Sequence, residues 1–182
     1  MKNLNKKYLV WAIRIVVSIL FILSAVAKLY PSPLVGISSF ETKYLGAIGI
    51  DGSFSVILSR MLIGLEFTLG LLILLPFYLK RIVVPTTIAL LSAFSIHLFI
   101  QVIGGDSSNC GCFGELIPMT PVQALIKNIL SIGLLLLLLT LLKNEIQDQD
   151  NIHPLMYTAL IISLLMFVLL PQGSSNFTSS QI

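Results

Sequence analysis

TPVQALIKNILSIGLLLLLLTLL, the stretch Thr120–Leu142, decides the fold class. Beyond Pro121 it carries one charge, Lys127, and it is long enough to cross a hydrocarbon layer of about 30 Å as a helix. Its start is marked locally. Thr120, Pro121 and Gln123 form a capping-box pattern with proline at the first helical position. Four more apolar stretches flank it: Tyr8–Tyr30, Phe54–Leu79 and Ile82–Ile103 before, Leu155–Leu170 after. The chain of 182 residues is only 10% charged and 56% hydrophobic. Soluble domains average about 25% charged residues, so the pattern excludes a soluble enzyme and gives an all-α integral membrane protein. The length allows one compact bundle.

Turn signals separate the stretches. Asp51-Gly52 precedes Ser53, which can cap the second span; His153-Pro154 opens the fifth and Pro171-Gln172-Gly173 closes it, ahead of a Ser-rich tail. The short connection Leu79–Arg81 predicts that the second and third spans pack as an antiparallel hairpin. Lys2, Lys6 and Lys7 place the N-terminus in the cytoplasm, and Lys80, Arg81 and Lys143 then also fall inside. The first external loop sets Lys43 against Glu41 and Asp51. The net charge of +3 therefore follows the positive-inside rule and is no nucleic-acid footprint. Ala25-Val26-Ala27 after a Lys-rich start resembles a signal-peptide cleavage site, but Arg14 interrupts the apolar stretch and Lys28-Leu29 follows at once. The first stretch is read as a retained span. No phosphate loop, zinc spacing, Ser-His-Asp set or metalloprotease helix is present.

Just upstream of Thr120 lies Asn109-Cys110-Gly111-Cys112-Phe113-Gly114-Glu115, which holds both cysteines of the chain. The topology puts this loop outside the cytoplasm, where disulfides persist. Residues two apart can reach the Cα separation of about 4.4–6.8 Å that a disulfide needs if the chain turns between them. Gly111 permits that turn. So small a ring would be strained, hence oxidising and readily exchanged. Phe113 is expected to anchor the loop at the membrane interface. Three chemistries remain open for Cys110 and Cys112: disulfide exchange, binding of cuprous copper with Met119 nearby, and a structural link.

Ionisable residues inside the spans are costly and mark functional positions. They are Arg14, Arg60, Glu66, His97 and Lys127, with Gln101 and Asn128 as uncharged companions. Helical rise puts Arg60, His97 and Lys127 each roughly 9 Å below the outer ends of their helices, in one layer beneath the cysteine loop. Such a layer can raise the thiolate fraction, hold a quinone-like head group, and pass a proton through His97. Glu66, about 18 Å deep, needs a partner, and its spacing from Arg60 points it across helices. The plainer alternatives are that Arg14 and Lys127 snorkel to the interface, and that His97 and Gln101 tie two helices together.

These residues together resemble the MauE branch of the DoxX-like membrane proteins. The resemblance runs over Tyr8–Lys143 and rests on Arg14, Ser24-Ala25-Val26-Ala27-Lys28-Leu29, Arg60, Gly64-Leu65-Glu66, Cys110-Gly111-Cys112-Phe113-Gly114 and Lys127-Asn128. It implies a four-helix transmembrane bundle over residues 1–143. The extra C-terminal transmembrane helix and external tail, 144–182, depart from that pattern. It also implies thiol-disulfide chemistry outside the cytoplasm, with a thioredoxin-fold partner and the maturation of a secreted, methylamine dehydrogenase-like protein. DoxX relatives imply electron transfer to quinone. Cys110 and Cys112 are thus expected to be the catalytic pair, with Arg60, Glu66, His97 and Lys127 around a quinone and no metal site. The alternative is a non-enzymatic assembly factor or copper-binding bundle. Partners are the thioredoxin-fold protein and membrane lipid, with no nucleic acid.

Overall fold

The computed structural model describes residues 2–29, 53–76, 78–105, 110, 113, 116–143 and 153–169. They form five α-helices: α1 Lys2–Ala27, α2 Ser53–Leu72, α3 Val84–Ile103, α4 Pro121–Leu142 and α5 His153–Leu169. A π-helical turn, Leu79–Val83, leads directly into α3. No strand occurs among the described residues. Three helical segments are long and apolar enough to cross a membrane: Lys6–Ala27, Leu79–Ile103 and Pro121–Leu142. The protein is an all-α, multi-pass membrane protein. Apolar side chains also face outward, among them Ile19, Ile96, Phe99, Ile100, Ile129 and Leu130, as a lipid-facing surface requires.

α1 packs on α2 and on α4, α4 packs on α3, and α5 lies against α2. The hairpin expected of the second and third spans is therefore corrected. α2 and α3 follow one another in sequence, yet their principal neighbours are other helices. The reason lies at Pro76. The apolar run continues to Leu79, but α2 stops at Leu72, since Pro76 offers no N–H and its ring crowds the carbonyl four residues back. The last turn tightens, with Leu74 N–H donating to the Leu71 carbonyl at 3.1 Å and Leu75 N–H to that of Leu72 at 3.0 Å. Tyr78 then adopts a left-handed conformation at φ 46°, and the chain re-enters a helix through the π turn. Pro85 follows that turn. It lacks the N–H that an α-helix would give to the Arg81 carbonyl, and the wider turn relieves its crowding.

The break exposes carbonyls at the end of α2, and Arg14 takes them. Its Nε donates to the Ile73 carbonyl at 2.8 Å and its Nη2 to that of Leu74 at 2.6 Å. The guanidinium also lies 4.3 Å from the Trp11 ring centroid. Arg14 is thus a buried cap on a neighbouring helix and does not snorkel. The start of α4 is as expected: Thr120 Oγ1 accepts from Gln123 N–H at 3.4 Å, and Gln123 Oε1 accepts from Thr120 N–H at 3.1 Å.

Two halves of the bundle differ in chemistry. At the end holding the start of α1 and the end of α4, Val10, Ile13, Val17, Phe21, Leu69, Leu72, Leu135, Leu138 and Leu142 form an apolar core. Toward the cysteine loop the interior turns polar, burying Ser24, Lys28, Ser59, Arg60, Glu66 and Asn128.

Candidate functional site

α3 ends and α4 begins at the cysteine-loop end, so the loop between them is anchored on these two helices. Cys110 is 4% exposed and packs in a small cluster with Leu98 of α3 and Ala124 of α4, bordered by Met119 and Leu125. Its backbone N–H donates to the Met119 carbonyl at 2.8 Å. This bond closes the base of the loop, with Cys110 at one limb and Met119 at the other. Phe113 is also buried, at 6% exposure, and the Lys127 ammonium sits 4.5 Å from its ring centroid. The loop aromatic therefore packs into the bundle beneath a cation, where an interfacial anchor had been expected. Cys112, Gly111, Gly114 and Glu115 lie outside the described residues.

Ala124 and Lys127 are three apart on α4, so the lysine lies on the face that receives Cys110, one turn deeper. On α3, Leu98 touches the Cys110 cluster, and His97 precedes it. His97 Nε2 and Gln101 Nε2 lie 3.2 Å apart along the same helix, so the two side chains pair within α3. Gln101 Oε1 is buried with no hydrogen-bond partner among the described residues.

Deeper in the bundle, Glu66 receives Lys28. Lys28 Nζ lies 2.5 Å from Glu66 Oε1 and 2.6 Å from Oε2, so one ammonium bridges both oxygens. Ser24 Oγ donates to Glu66 Oε2 at 3.2 Å, and Lys28 Nζ approaches the same hydroxyl at 3.3 Å. Lys28 and Glu66 are each 3% exposed. The Phe94 ring of α3 covers the ammonium, 5.5 Å away. Lys28 belongs at the end of α1 for a second reason, since a cation there meets the negative end of the helix dipole. The cross-helix partner that Glu66 required is therefore Lys28, with Ser24.

Glu66 is thus held by α1, whereas the expectation grouped it with Arg60, His97 and Lys127 around a cofactor. Arg60 is buried, at 5% exposure, six residues before Glu66 on α2. Lys28 and Ser24 were not expected as site residues. The signal was present: they stand four apart at the end of the first span, and Glu66 is an intramembrane acid in need of a cation. Phe94, His97, Leu98 and Gln101 follow helical spacing on α3, linking the ion pair at one end to the cysteine cluster at the other. Among the described residues no three His, Cys, Asp or Glu side chains are placed to hold a metal ion.

A polytopic helical membrane protein with a cysteine at the mouth of its bundle and charged groups buried beneath is the class this geometry defines. The particular family is shown by sequence comparison: residues 6–141 match the family described as methylamine utilisation protein MauE. The chain belongs to the MauE family. It is similar to Protein TlpB of Flavobacterium psychrophilum, at 45% identity over 186 aligned residues. That alignment covers 100% of this chain and 50% of the relative, so the chain spans about half the length of the curated relative it matches. No solved structure matches.

Proposed function

We propose that this protein is a membrane-embedded thiol-disulfide redox protein whose Cys110 and Cys112 cycle between dithiol and disulfide. The carrying observation is the seating of Cys110: its backbone is fixed by Met119 and its side chain packed between α3 and α4. A redox pair needs such definition, because exchange demands that sulfurs meet along a narrow approach. Lys127, one turn inward on the receiving face, supplies a positive charge that favours a departing thiolate.

The partner in this reading is a thioredoxin-fold dithiol outside the cytoplasm, and the loop faces that side by the positive-inside rule. The partner's two thiols become its disulfide, and the pair on this chain takes up the two electrons. A quinone in the membrane removes them and leaves as quinol with two protons. Arg60, His97 and Lys127 are the groups proposed to hold its head, and the buried Gln101 Oε1 would accept a quinol hydroxyl. The family description names methylamine utilisation, and maturation of a secreted, methylamine dehydrogenase-like protein is the pathway proposed here.

A second reading has one observation in its favour. Met119 packs beside Cys110, giving a thioether next to a thiol, a donor set suited to cuprous copper. Titration of the purified protein against glutathione redox buffers separates the two. Reversible two-electron interconversion of Cys110 and Cys112, lost in Cys110→Ser, supports redox exchange. A pair that stays reduced throughout, and binds cuprous copper stoichiometrically, sinks it.

A further inference from the structure

We infer that His97 and Gln101 act as one hydrogen-bonding unit that holds a membrane-soluble quinone by a ring oxygen in both of its oxidation states. The inference deepens the proposed redox function and rests on it for the class of ligand. Gln101 Nε2 lies 3.2 Å from His97 Nε2, and Gln101 Oε1 is buried with no hydrogen-bond partner among the described residues. A buried acceptor left without a donor destabilises a fold, and hydrocarbon offers no water to satisfy it.

The chemistry of the pair says what completes it. A side-chain amide carries donors at one end and an acceptor at the other, and an imidazole nitrogen is either donor or acceptor. With the ring proton on Nδ1, His97 Nε2 accepts from Gln101 Nε2, and Oε1 is left over. With the proton on Nε2, the amide turns half round, Oε1 accepts from the ring, and the amide nitrogen is left over. Either way one end of Gln101 remains for a ligand, as an acceptor in the first arrangement and a donor in the second. A quinone carbonyl only accepts, and the hydroxyl of its quinol also donates. The first arrangement therefore fits the quinol and the second fits the quinone. Arginine and lysine are donors alone, so Arg60 and Lys127 cannot supply this exchange.

The pair stands where a lipid-borne ligand can reach it. Round α3, at about 100° per residue, Leu91 and Leu98 face the bundle and Phe94, Gln101 and His97 follow on one flank. Ile100 and Ile96 come next, each 63% exposed, so the flank borders the lipid-facing surface. Gln101 is two residues from Ile103, the end of α3, a rise of about 3 Å. A head group on this flank sits just inside the membrane boundary with its tail free to lie among lipid chains. Phe94 marks the inner limit of the flank, its ring 5.5 Å from the Lys28 ammonium.

The test uses the full chain in lipid nanodiscs, with decylubiquinone and its quinol as probes and decylbenzene as a control without ring oxygens. Binding is read as saturable uptake above that of protein-free nanodiscs. Gln101→Leu is expected to weaken binding of quinone and quinol alike by about fivefold or more, and to leave decylbenzene uptake unchanged. The same variant should melt at the wild-type temperature or up to roughly 5 °C above it, because it removes a buried polar group that lacks a partner. A Gln101 that only braces α3 through His97 gives the opposite pattern, a lower melting temperature with unchanged affinity, and that result overturns the inference. Binding of either form that is equal in wild type and Gln101→Leu, or no saturable binding to the wild type, overturns it too. The glutathione titration of the wild type keeps the two failures apart. A cysteine pair that cycles reversibly while Gln101→Leu binds normally removes only this inference, and a pair that never cycles removes the redox function itself.

Discussion

Lys28 and Glu66 carry the largest electrostatic stake of any pair described in this chain, because neither charge reaches solvent. Removing one partner of a buried pair strands the other, at a cost of about 3–5 kcal/mol, whereas replacing both by apolar groups is often neutral. Lys28→Met and Glu66→Leu are each expected to fall in that range, and the double variant to recover most of the loss. Unfolding in detergent read as a double-mutant cycle checks this, and additive losses would show that the pair does not act as a unit. The pair also shows where sequence reasoning reached its limit at this scale. Glu66 is legible alone, since an acid among apolar residues must find a partner. Lys28 carries a weaker signal, a cation four residues from Ser24 at the end of the first span, and spacing alone does not name its partner. What joins them is a contact across 38 residues of chain, made by folding and by no local rule. Arg14 is the same case. Its charge is evident, but its carbonyl partners exist only because α2 ends where it does.

Whether an element can be read from sequence depends on whether its boundary is local. The start of α4 needs only Thr120, Pro121 and Gln123, and the capping box forms as the sequence requires. The end of α2 is hidden by hydropathy, since Leu-rich residues continue past Pro76 and only the backbone chemistry of proline interrupts them. Contact between elements is less legible still, and glycines show why. Gly70 of α2 faces α1 so closely that a Cβ would lie 3.0 Å from Ile22 Cγ1, 3.1 Å from Phe21 Cβ and 3.3 Å from the Ile22 backbone nitrogen. Gly133 of α4 has nothing within 4 Å of such a Cβ. Sequence alone treats the two alike. Gly70→Ala is expected to force α1 and α2 apart and cost about 1–3 kcal/mol. Gly133→Ala should be neutral or stabilising by up to about 1 kcal/mol. Thermal unfolding of both variants measures the contrast, and an unharmed Gly70→Ala would mean that α1 can shift along α2 without loss.

At the scale of the whole molecule, we propose a division into a four-helix bundle, residues 1–143, and an added helix. The MauE match ends at residue 141, and α1 to α4 share the apolar core. α5 rests on α2, and Met156, Tyr157, Leu160, Ile161 and Leu164 are all exposed. Among the α5 residues whose side chains are described, only Ala159 packs against the main core. None of the buried polar residues Ser24, Lys28, Arg60, Glu66 and Asn128 lies on α5. The helix order that creates this arrangement, with α1 between α2 and α4, is not written in any single stretch, because sequence neighbours need not be packing neighbours. The unit of residues 1–143 should therefore fold without α5. A chain ending at Asn144 tests it cleanly, because it keeps the Lys143 carbonyl as a peptide group, and that carbonyl accepts from Lys80 Nζ at 3.1 Å. The truncated protein is expected to melt within roughly 5 °C of the full chain. Its Cys110 and Cys112 should keep the redox behaviour of the intact protein. Truncation leaves the lipid to cover the face of α2 that α5 covered, and lipid tails are as apolar as the side chains they replace. Aggregation in detergent, or a fall in melting temperature well beyond that range, would mean that α5 is part of the bundle's stability and that the boundary at 143 divides one folding unit.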